Sequence, residues 1–292
     1  MEPIVFRYRS RELTSQDIEF IRFTIAGHYI RGRAHISQVL CRAWNWTQPN
    51  GKLKECAARD LLLRLEEAGF IELPQRLRPS NNSKRKSFHQ IPLFKREPFK
   101  GSISDYSGLH IRLIEQGETY LWGYLLQHYH YLGFPRLVGE CLRYVACING
   151  QVVACLAWAS AAWKVKSRDE FICWDDQTKR KNLHLIANNT RFLILPWVQV
   201  KHLASKILAL NLKVLSNDWQ GAYNHRVYLA ESFVDESKFK GTCYKASNWH
   251  YVGQTSGSAK RGNEYRYHGN QKAVYLYPLH RDFRRLLNDD KG

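Results

Sequence analysis

The chain contains no stretch of residues that is both apolar enough and long enough to span a membrane. Its N-terminal segment, MEPIVFRYRSRE, lacks the apolar core of a signal peptide. The seven cysteines are odd in number and scattered, and no two of them form a CxxC pair. These absences argue against a membrane protein, a disulfide framework and a structural zinc site. We therefore expect a cytoplasmic protein that has no membrane partner.

Acidic residues are also scarce, because 26 Asp+Glu face 44 Lys+Arg and leave a formal net charge of +18. An excess of this size suggests a polyanionic partner, most often nucleic acid. Aromatic residues make up 13% of the chain, and aromatic rings among basic residues can stack on bases. The expected partner is DNA, either duplex or single-stranded. A basic enzyme unrelated to nucleic acid is the alternative.

The N-terminal part, residues 1–74, is predicted to form a winged helix-turn-helix. Hydrophobic periodicity predicts a helix over 15–31 and a short second helix with Ser37 at its cap. After a turn rich in Pro, Asn and Gly, a strongly periodic helix runs from Leu53 to Ala68 and stops at Gly69. The following FIELP predicts a short strand. In this fold the last helix enters the major groove. A helical bundle with a solvated basic face is the alternative.

A basic linker or wing extension is predicted over residues 75–105. Eight basic residues in 75–100 face one acidic residue, Glu97, with Ser, Asn and Pro between them. Such a connector can neutralise phosphates without reading sequence, although it can equally be a solvated linker. The predicted nucleic-acid contacts of this half of the chain are Lys52, Lys54, Arg59, Arg64, Lys84, Arg85 and Lys86.

The C-terminal part, residues 106–292, is predicted to form an α/β domain around a mixed sheet. An amphipathic helix is expected from Ile111 to Tyr131. Two apolar runs then flank Asn149-Gly150, a favoured hairpin turn, and their continuous apolar character indicates strands covered on both faces. Residues 163–176 are expected to form a further strand and loop.

A crevice is predicted where the apolar strand Phe192 to Leu195 leads into a helix that begins near His202. A strand that feeds a helix and then a polar loop is how α/β folds build a binding site. Asn189 and Arg191 precede this crevice, and their amide and guanidinium groups suit a phosphate or a base edge. Caps and turn hydrogen bonds are the structural alternative for both residues.

Further polar groups are candidates for chemistry in the same domain. His130 follows a helix and is a candidate general base near neutral pH, with a hydrogen-bonded structural histidine as the alternative. Tyr244, Lys245 and Asn248, with the neighbouring Trp249, can stack on and hydrogen-bond an extruded base. Core and turn roles are the alternative for this segment.

Three carboxylates lie in the basic surround and allow a second type of chemistry. Asp169, Asp218 and Glu231 are the predicted catalytic ligands of a Mg²⁺ ion, as in a nuclease or a DDE-type transposase. The alternative for Asp169 is a simple ion pair with its neighbour Arg168.

Long motifs of the chain are similar to those of a known family. YHYLG (129–133), NNTRFLILPWVQVKHLAS (188–205) and FKGTCYKASNWHYVGQTSG (239–257) resemble the DruA family. That family is known from Druantia-type anti-phage systems and from transposon-linked open reading frames. The resemblance implies a DNA-related role in antiviral defence or transposition, together with the other proteins of such systems.

The order of elements in the C-terminal part resembles that of GNAT-type N-acyltransferases. In those enzymes a loop with the pattern Arg/Gln-x-x-Gly-x-Gly/Ala holds the coenzyme A pyrophosphate on backbone amides. Gln199 and Ala204 occupy the first and last places here, whereas His202 replaces the middle glycine. A side chain at that place is expected to block the close backbone approach that glycine permits, so acetyl-CoA is disfavoured as a cofactor. YHYLG also resembles the Mom-type DNA-modifying relatives of this fold.

Three functions are compatible with these patterns. The first is a DNA-binding protein of a mobile element or defence system that recognises or acts on DNA through the C-terminal crevice. The second is a Mg²⁺-dependent nuclease or transposase, and the third is an acyl-CoA-dependent transferase. The sequence leaves open whether the protein is an enzyme.

Overall fold

The structure is a computed structural model that describes residues 3–8, 11–48, 51–77, 88–135, 137, 139–261, 264–267 and 269–289. The chain divides into two compact units, each with its own buried core. The first unit contains Met1–Arg85 and Ala222–Asn224, and the second contains Lys86–Gly221 and His225–Gly292. No helix in the described ranges is long and apolar enough to cross a membrane.

The first unit consists of a hairpin followed by three helices. The hairpin joins β1 (Ile4–Tyr8) to β2 (Arg11–Thr14), and the helices are α1 (Ser15–Gly27), α2 (Gly32–Ala43) and α3 (Glu55–Glu67). Thr14 caps α1 in a reciprocal arrangement with Asp17. The apolar residues of the hairpin and the three helices share one core.

This unit differs from the predicted winged helix in three respects. A hairpin precedes the first helix, and residues 70–74 form no strand in the part of the unit that the structure describes. Ser37 does not cap α2 but lies buried within it, where its hydroxyl donates to the Ala34 carbonyl at 2.7 Å. The predicted helix over Leu53 to Ala68 is confirmed with slightly shorter bounds, and Gly69 follows it with a φ of 76°.

The second unit is built on one seven-stranded mixed sheet. Its elements, in chain order, are β3 (Phe99–Ser102), β4 (His110–Leu113), α4 (Thr119–Tyr129), β5 (Cys141–Ile148), β6 (Gln151–Ser160), α5 (Lys166–Ile172), α6 (Asp176–Asn182), β7 (Ile186–Ile194), β8 (Val198–Lys201), α7 (Leu203–Tyr223), β9 (Leu229–Val234), α8 (Thr242–Ala246), β10 (His250–Gln254), β11 (Ser258–Arg261), β12 (Glu264–Tyr267), β13 (Ala273–Pro278) and α9 (Phe283–Asn288). The strand order is β10-β13-β9-β7-β6-β5-β4. Within it β7 and β9 are parallel, and the other neighbours are antiparallel. The predicted α/β class with a mixed sheet is confirmed.

The predicted hairpin forms as the sequence indicates. Asn149 and Gly150 join β5 to β6, and both have positive φ angles, 50° and 74°. These are the angles that a two-residue primed turn requires. Nearly every residue of β6 is buried, because both faces of this central strand are covered.

Two segments of the second unit have a different secondary structure from the one predicted. The helix expected from Ile111 begins only at Thr119, because residues 110–113 form the edge strand β4. Arg112 of β4 pairs with both carboxylate oxygens of Glu118, the residue directly before α4, at 2.6 and 2.7 Å, and so links the two elements. Residues 163–176 were predicted as a strand and loop, but they contain the helix α5.

The residues predicted as a linker contribute to the second unit. Strand β3 pairs in parallel with β8, from Phe99 beside Val198 to Ser102 beside Lys201. Phe88 is buried and donates its backbone N–H to Gln127 of α4 at 3.2 Å. Its ring lies directly against Gly123 of the same helix. This contact ties the segment that begins at residue 88 to α4.

The contact between Gly123 and Phe88 gives a test of the packing. Replacing glycine by alanine within a helix normally stabilises it by about 0.5–1 kcal/mol. At Gly123 the new methyl group would overlap the Phe88 ring, so we expect Gly123→Ala to destabilise the second unit by about 1–3 kcal/mol. Gly221→Ala in α7 is the control, since nothing lies within 4 Å of its added carbon. Urea unfolding should separate the two variants, and stabilisation by both would contradict this packing.

Candidate functional site

Near the centre of the seven-stranded sheet, the parallel strands β7 and β9 separate and form a fork. Strands β7 and β9 pair from Ile186 beside Leu229 as far as Asn189 beside Ser232, although both strands continue beyond that point. At the same place the pairing of β6 with β7 shifts register, so that β7 carries one extra residue, Thr190. A bulge of this kind bends the strand that carries it. A crevice of about 460 Å³ opens where the two strands separate.

The fork is closed at its apex by the hydroxyl of Tyr244. This residue lies on α8, and its Oη accepts a hydrogen bond from Ser232 Oγ at 3.0 Å and donates to Asn189 Oδ1 at 3.2 Å. It therefore bridges the last paired residues of the two strands. Burial raises the pKa of Tyr244 far above its ordinary value, so the hydroxyl keeps its proton. The floor of the crevice is a fixed, neutral hydrogen-bonding network.

A guanidinium group lies in the crevice wall just beyond the fork. Arg191 donates from Nε to the Gly133 carbonyl at 3.0 Å and from Nη1 to the Thr190 carbonyl at 2.7 Å. No carboxylate of the described residues pairs with it, and burial lowers its pKa. An arginine keeps its charge under these conditions, so the crevice contains a partly desolvated cation. An anionic ligand would neutralise the charge of Arg191 and accept hydrogen bonds from its guanidinium group.

His130 lies beside this cation in the same crevice. Burial, and secondarily the charge of Arg191, lower the pKa of His130 to about 4. Its Nδ1 accepts the backbone N–H of Leu132 at 3.1 Å, so the proton of the neutral imidazole is on Nε2. The predicted role of general base would need the lone pair that Leu132 already occupies. As placed, His130 lines the crevice as a neutral imidazole that carries its proton on Nε2.

The N-terminus of the long helix α7 adjoins the crevice, and Ala204 of its first turn lines the wall. The first amides of a helix have no partner within the helix and favour anions. His202, directly before the helix, has a φ of 64°, the left-handed conformation that glycine adopts most easily. Its side chain is exposed and is not among the residues that line the crevice. The expectation that His202 blocks the backbone approach stays a prediction.

Other crevice residues add polar and thiol groups. Thr242, Cys243 and Lys240 come from the loop and first turn of α8. Burial raises the pKa of the Cys243 thiol, which disfavours the thiolate that a cysteine nucleophile requires. Lys240 is exposed and adds a second positive charge to the crevice.

Two of the predicted metal ligands belong instead to a buried ion-pair network around Arg168. Arg168 donates to Asp169 Oδ1 at 2.9 and 2.7 Å and to Glu231 Oε2 at 2.9 Å. The second oxygen of Glu231 accepts the backbone N–H of Ala162 at 2.9 Å. Arg168 and Glu231 are fully buried, and Lys179 also contacts Asp169 at 3.3 Å. The charges of both carboxylates are thus compensated by protein cations.

The third predicted ligand, Asp218, is not part of this network. It lies on α7 and accepts a hydrogen bond from the Tyr144 hydroxyl at 2.8 Å. Asp169, Asp218 and Glu231 therefore do not converge. Within the described ranges, no group of three or more His, Cys, Asp or Glu side chains is arranged to hold a metal ion. These residues do not fit the Mg²⁺ site that the sequence suggested, and we derive no reaction step through it.

The remaining predicted residues are dispersed. Lys245 and Asn248, at and just beyond the end of α8, are exposed and do not line the crevice. In the first unit Arg59 contacts Cys56 Sγ at 3.3 Å, and Arg64 pairs with Asp60 at 3.2 Å. Lys52 is exposed and Lys54 is half-buried directly before α3. The remaining predicted contacts, Lys84, Arg85 and Lys86, lie outside the described residues.

The structure thus brings together four residues that the sequence singled out: His130, Asn189, Arg191 and Tyr244. The crevice also contains residues that the sequence reasoning did not select, among them Tyr131, Ser232, Phe239 and Lys240. Tyr131 is part of the YHYLG motif and Phe239 is the first residue of the FKGTCY motif. Membership of these motifs is the sequence feature that could have identified both residues as part of the site. Their convergence depends on contacts between segments that are distant in sequence.

A family model described as Druantia protein DruA matches residues 64–263. The chain belongs to the DruA family. The match covers every described element that builds the crevice, from His130 to Tyr244, so the crevice lies within the part of the chain that defines a DruA protein. No curated protein matches the chain.

Solved structures that resemble this DruA chain include several N-acetyltransferases. Aminoglycoside acetyltransferase AAC(6')-Ib in complex with coenzyme A is 12% identical over 62% of this chain and 100% of that chain, with a TM-score of 0.38. An N-acetyltransferase from Staphylococcus aureus is 10% identical over 59% and 99%, with a TM-score of 0.35. The ribosomal-protein-S18-alanine N-acetyltransferase from Escherichia coli is 10% identical over 59% and 94%, with a TM-score of 0.36.

The buried network around Arg168 gives a stability prediction. Arg168→Met leaves Glu231 as an uncompensated buried charge, so we expect a loss of about 3–5 kcal/mol in the free energy of unfolding. Lys166→Met in the same helix is the control, because its side chain is 89% exposed and its pair with Glu170 is weak. That variant should change stability by less than about 0.5 kcal/mol. Urea unfolding measures both, and equal effects would contradict a structural role for Arg168.

Proposed function

We propose that the crevice binds a phosphate-bearing acyl donor of the coenzyme A class and that the protein is an acyl-CoA-dependent transferase. The observation that carries this proposal is Arg191, a partly buried guanidinium with no carboxylate partner among the described residues. A desolvated cation is stabilised by a bound anion, and a phosphate accepts hydrogen bonds from arginine with good geometry. The site is therefore suited to a phosphorylated ligand.

The start of α7 supports the same ligand. The segment Gln199 to Ala204 matches the first and last places of the acyltransferase pyrophosphate loop, and His202 keeps the left-handed backbone at the place of the glycine. The amides of the first turn of a 21-residue helix favour a phosphate group near them. The His202 side chain is exposed and is not among the residues that line the crevice.

The crevice residues can also serve the transfer chemistry. A thioester donor supplies an activated acyl carbon when it is bound. The neutral His130, with a pKa of about 4, can donate from Nε2 without adding charge above pH 5. Tyr244 holds a proton at its hydroxyl, in an orientation fixed by Asn189 and Ser232. The Tyr244 proton is already donated to Asn189 Oδ1, so Tyr244 holds the floor of the crevice in place. The N–H of His130 is then the donor present before the ligand arrives, and such donors are how enzymes stabilise developing charge.

Calorimetry with acetyl-CoA and free coenzyme A tests this proposal. We expect Arg191→Met to weaken binding about tenfold or more, because a charge-assisted hydrogen bond contributes about 1.5–3 kcal/mol. Arg191→Lys should retain part of the affinity through its charge. Lys245→Met is the matched control, since it removes an exposed cation outside the crevice and should leave binding unchanged. Absence of binding to the unaltered protein at millimolar ligand would remove the proposal.

A second function, binding of duplex DNA by the first unit, is favoured by a separate observation. A groove of about 820 Å³ in this unit is lined by Arg31, Arg59 and Arg76, all exposed and without a carboxylate partner among the described residues. Together with the net charge of +18, such a groove suits a phosphate backbone. We propose that this helical unit binds the phosphate backbone of duplex DNA, in an anti-phage defence or mobile-element context with other proteins of that system.

Fluorescence anisotropy with a labelled duplex, measured over a series of salt concentrations, tests the second function. The double substitution Arg31→Ala and Arg59→Ala should weaken binding and lower the slope of log K against log salt by about two. Arg7→Ala in the N-terminal hairpin is the control for loss of one charge, because Arg7 is already paired with Glu12. Binding that is absent, or that does not weaken as salt rises, would exclude this function.

A further inference from the structure

Exposed aromatic side chains stand in the wall of the crevice. Tyr131 is 42% exposed and Phe239 is 51% exposed, and their ring centroids lie 5.3 Å apart. His130 stacks on Tyr131 with centroids 4.9 Å apart and planes at 28°. Large rings that remain accessible beside a concave site are a mark of binding rather than of folding. We call the pair Tyr131 and Phe239 the aromatic platform.

Positive charges surround the aromatic platform. The Lys238 ammonium lies 5.6 Å from the centre of the Tyr131 ring, and Lys240 and Arg191 line the same crevice. Asp235, a carboxylate that lines the crevice, accepts hydrogen bonds from the Ser237 hydroxyl at 2.6 Å and from the Ser237 backbone N–H at 3.2 Å. Rings flanked by cations are the arrangement with which proteins hold single-stranded nucleic acid, because bases stack and phosphates are neutralised.

The ring stacking that the sequence placed on Tyr244 and Trp249 does not fit their positions. Tyr244 is only 8% exposed and Trp249 only 5%. The Trp249 ring stacks on Trp158, with planes at 19°, and contacts Tyr244 edge-on. Neither residue presents a free face to a base. Among the described residues that line the crevice, Tyr131 and Phe239 are the aromatic side chains with large exposed fractions.

We propose that the aromatic platform stacks a base of single-stranded nucleic acid, with Lys238 and Lys240 neutralising the adjacent phosphates. This site goes beyond the proposed acyl-donor site and gives the crevice a second ligand. Arg191 and the start of α7 favour phosphates at the inner part of the crevice, whereas the platform offers stacking that tolerates any base. A single strand meets this requirement because its bases are unpaired.

Anisotropy with fluorescein-labelled oligo(dT) and oligo(dA) tests the platform. The protein carries Arg31→Ala and Arg59→Ala throughout, so that binding by the first unit is reduced. Tyr131→Leu and Phe239→Leu should each weaken binding of both oligonucleotides about tenfold, whereas Tyr131→Phe should retain it. Tyr267→Leu is the matched control, because this ring is 73% exposed in the same unit and lies outside the crevice.

Three outcomes would contradict the proposal that the aromatic platform stacks a base of single-stranded nucleic acid. They are unchanged affinity in Tyr131→Leu and Phe239→Leu, equally tight binding of a blunt duplex, and displacement of the strand by AMP at equal concentration. The last result would identify a mononucleotide site. Acetyl-CoA titrated in parallel separates this inference from the proposed function. If the leucine variants lose affinity for the oligonucleotides and the protein does not bind acetyl-CoA, the platform is supported and the transferase is excluded. If the protein binds acetyl-CoA and the leucine variants keep their affinity for the oligonucleotides, the transferase is supported and the platform is excluded.

Discussion

The separation of β7 from β9 after Asn189 and Ser232 is the constraint on which the candidate site depends. Neighbouring parallel strands ordinarily continue their hydrogen bonds, so a fork leaves backbone groups to be satisfied in other ways. Here the extra residue Thr190 bends β7, and the Tyr244 hydroxyl joins the two strands at the point of separation. The fork is thus a built feature, and the crevice is the space that it opens.

The second unit contains two arginines with opposite electrostatic surroundings. Arg168 is fully buried, and its charge is matched by Glu231 and Asp169. Arg191 is partly buried and bonds only to main-chain carbonyls in the described part of the chain. Alternation along β9 helps to explain this contrast, because Glu231 and Ser232 point to opposite faces of the sheet. One face is held by the ion pair, and the other presents the crevice.

The parts of the fold that local rules determine were predictable from the sequence. The Asn149-Gly150 hairpin requires only positive φ at two residues, and the long helix α7 has an apolar face of its own. The edge strand at 110–113 lies where the sequence predicts a helix, because the pairing of this strand with β5 is a tertiary contact that local patterns do not show. Residues 70–74 likewise form no strand, although their composition favours one.

The candidate site was only partly predictable, for a related reason. Arg191 and Tyr244 stand out in sequence, but their relation depends on the fork, which joins segments more than fifty residues apart. Asp169 and Glu231 resemble metal ligands because a buried ion pair and a metal site use the same residue types. What distinguishes the two is Arg168 between the carboxylates, and that position is fixed by α5, a helix that the sequence did not predict.

Hydrogen exchange in the presence and absence of coenzyme A tests the central claim, that the fork of β7 and β9 is a ligand-binding site. We predict slower exchange of amides in 189–194, in 202–206 at the start of α7, and in 239–244 around α8. Amides in the Asn149-Gly150 hairpin, within the same unit, should be unaffected. Unchanged exchange in all three segments at saturating ligand, or protection confined to other parts of the chain, would contradict the account.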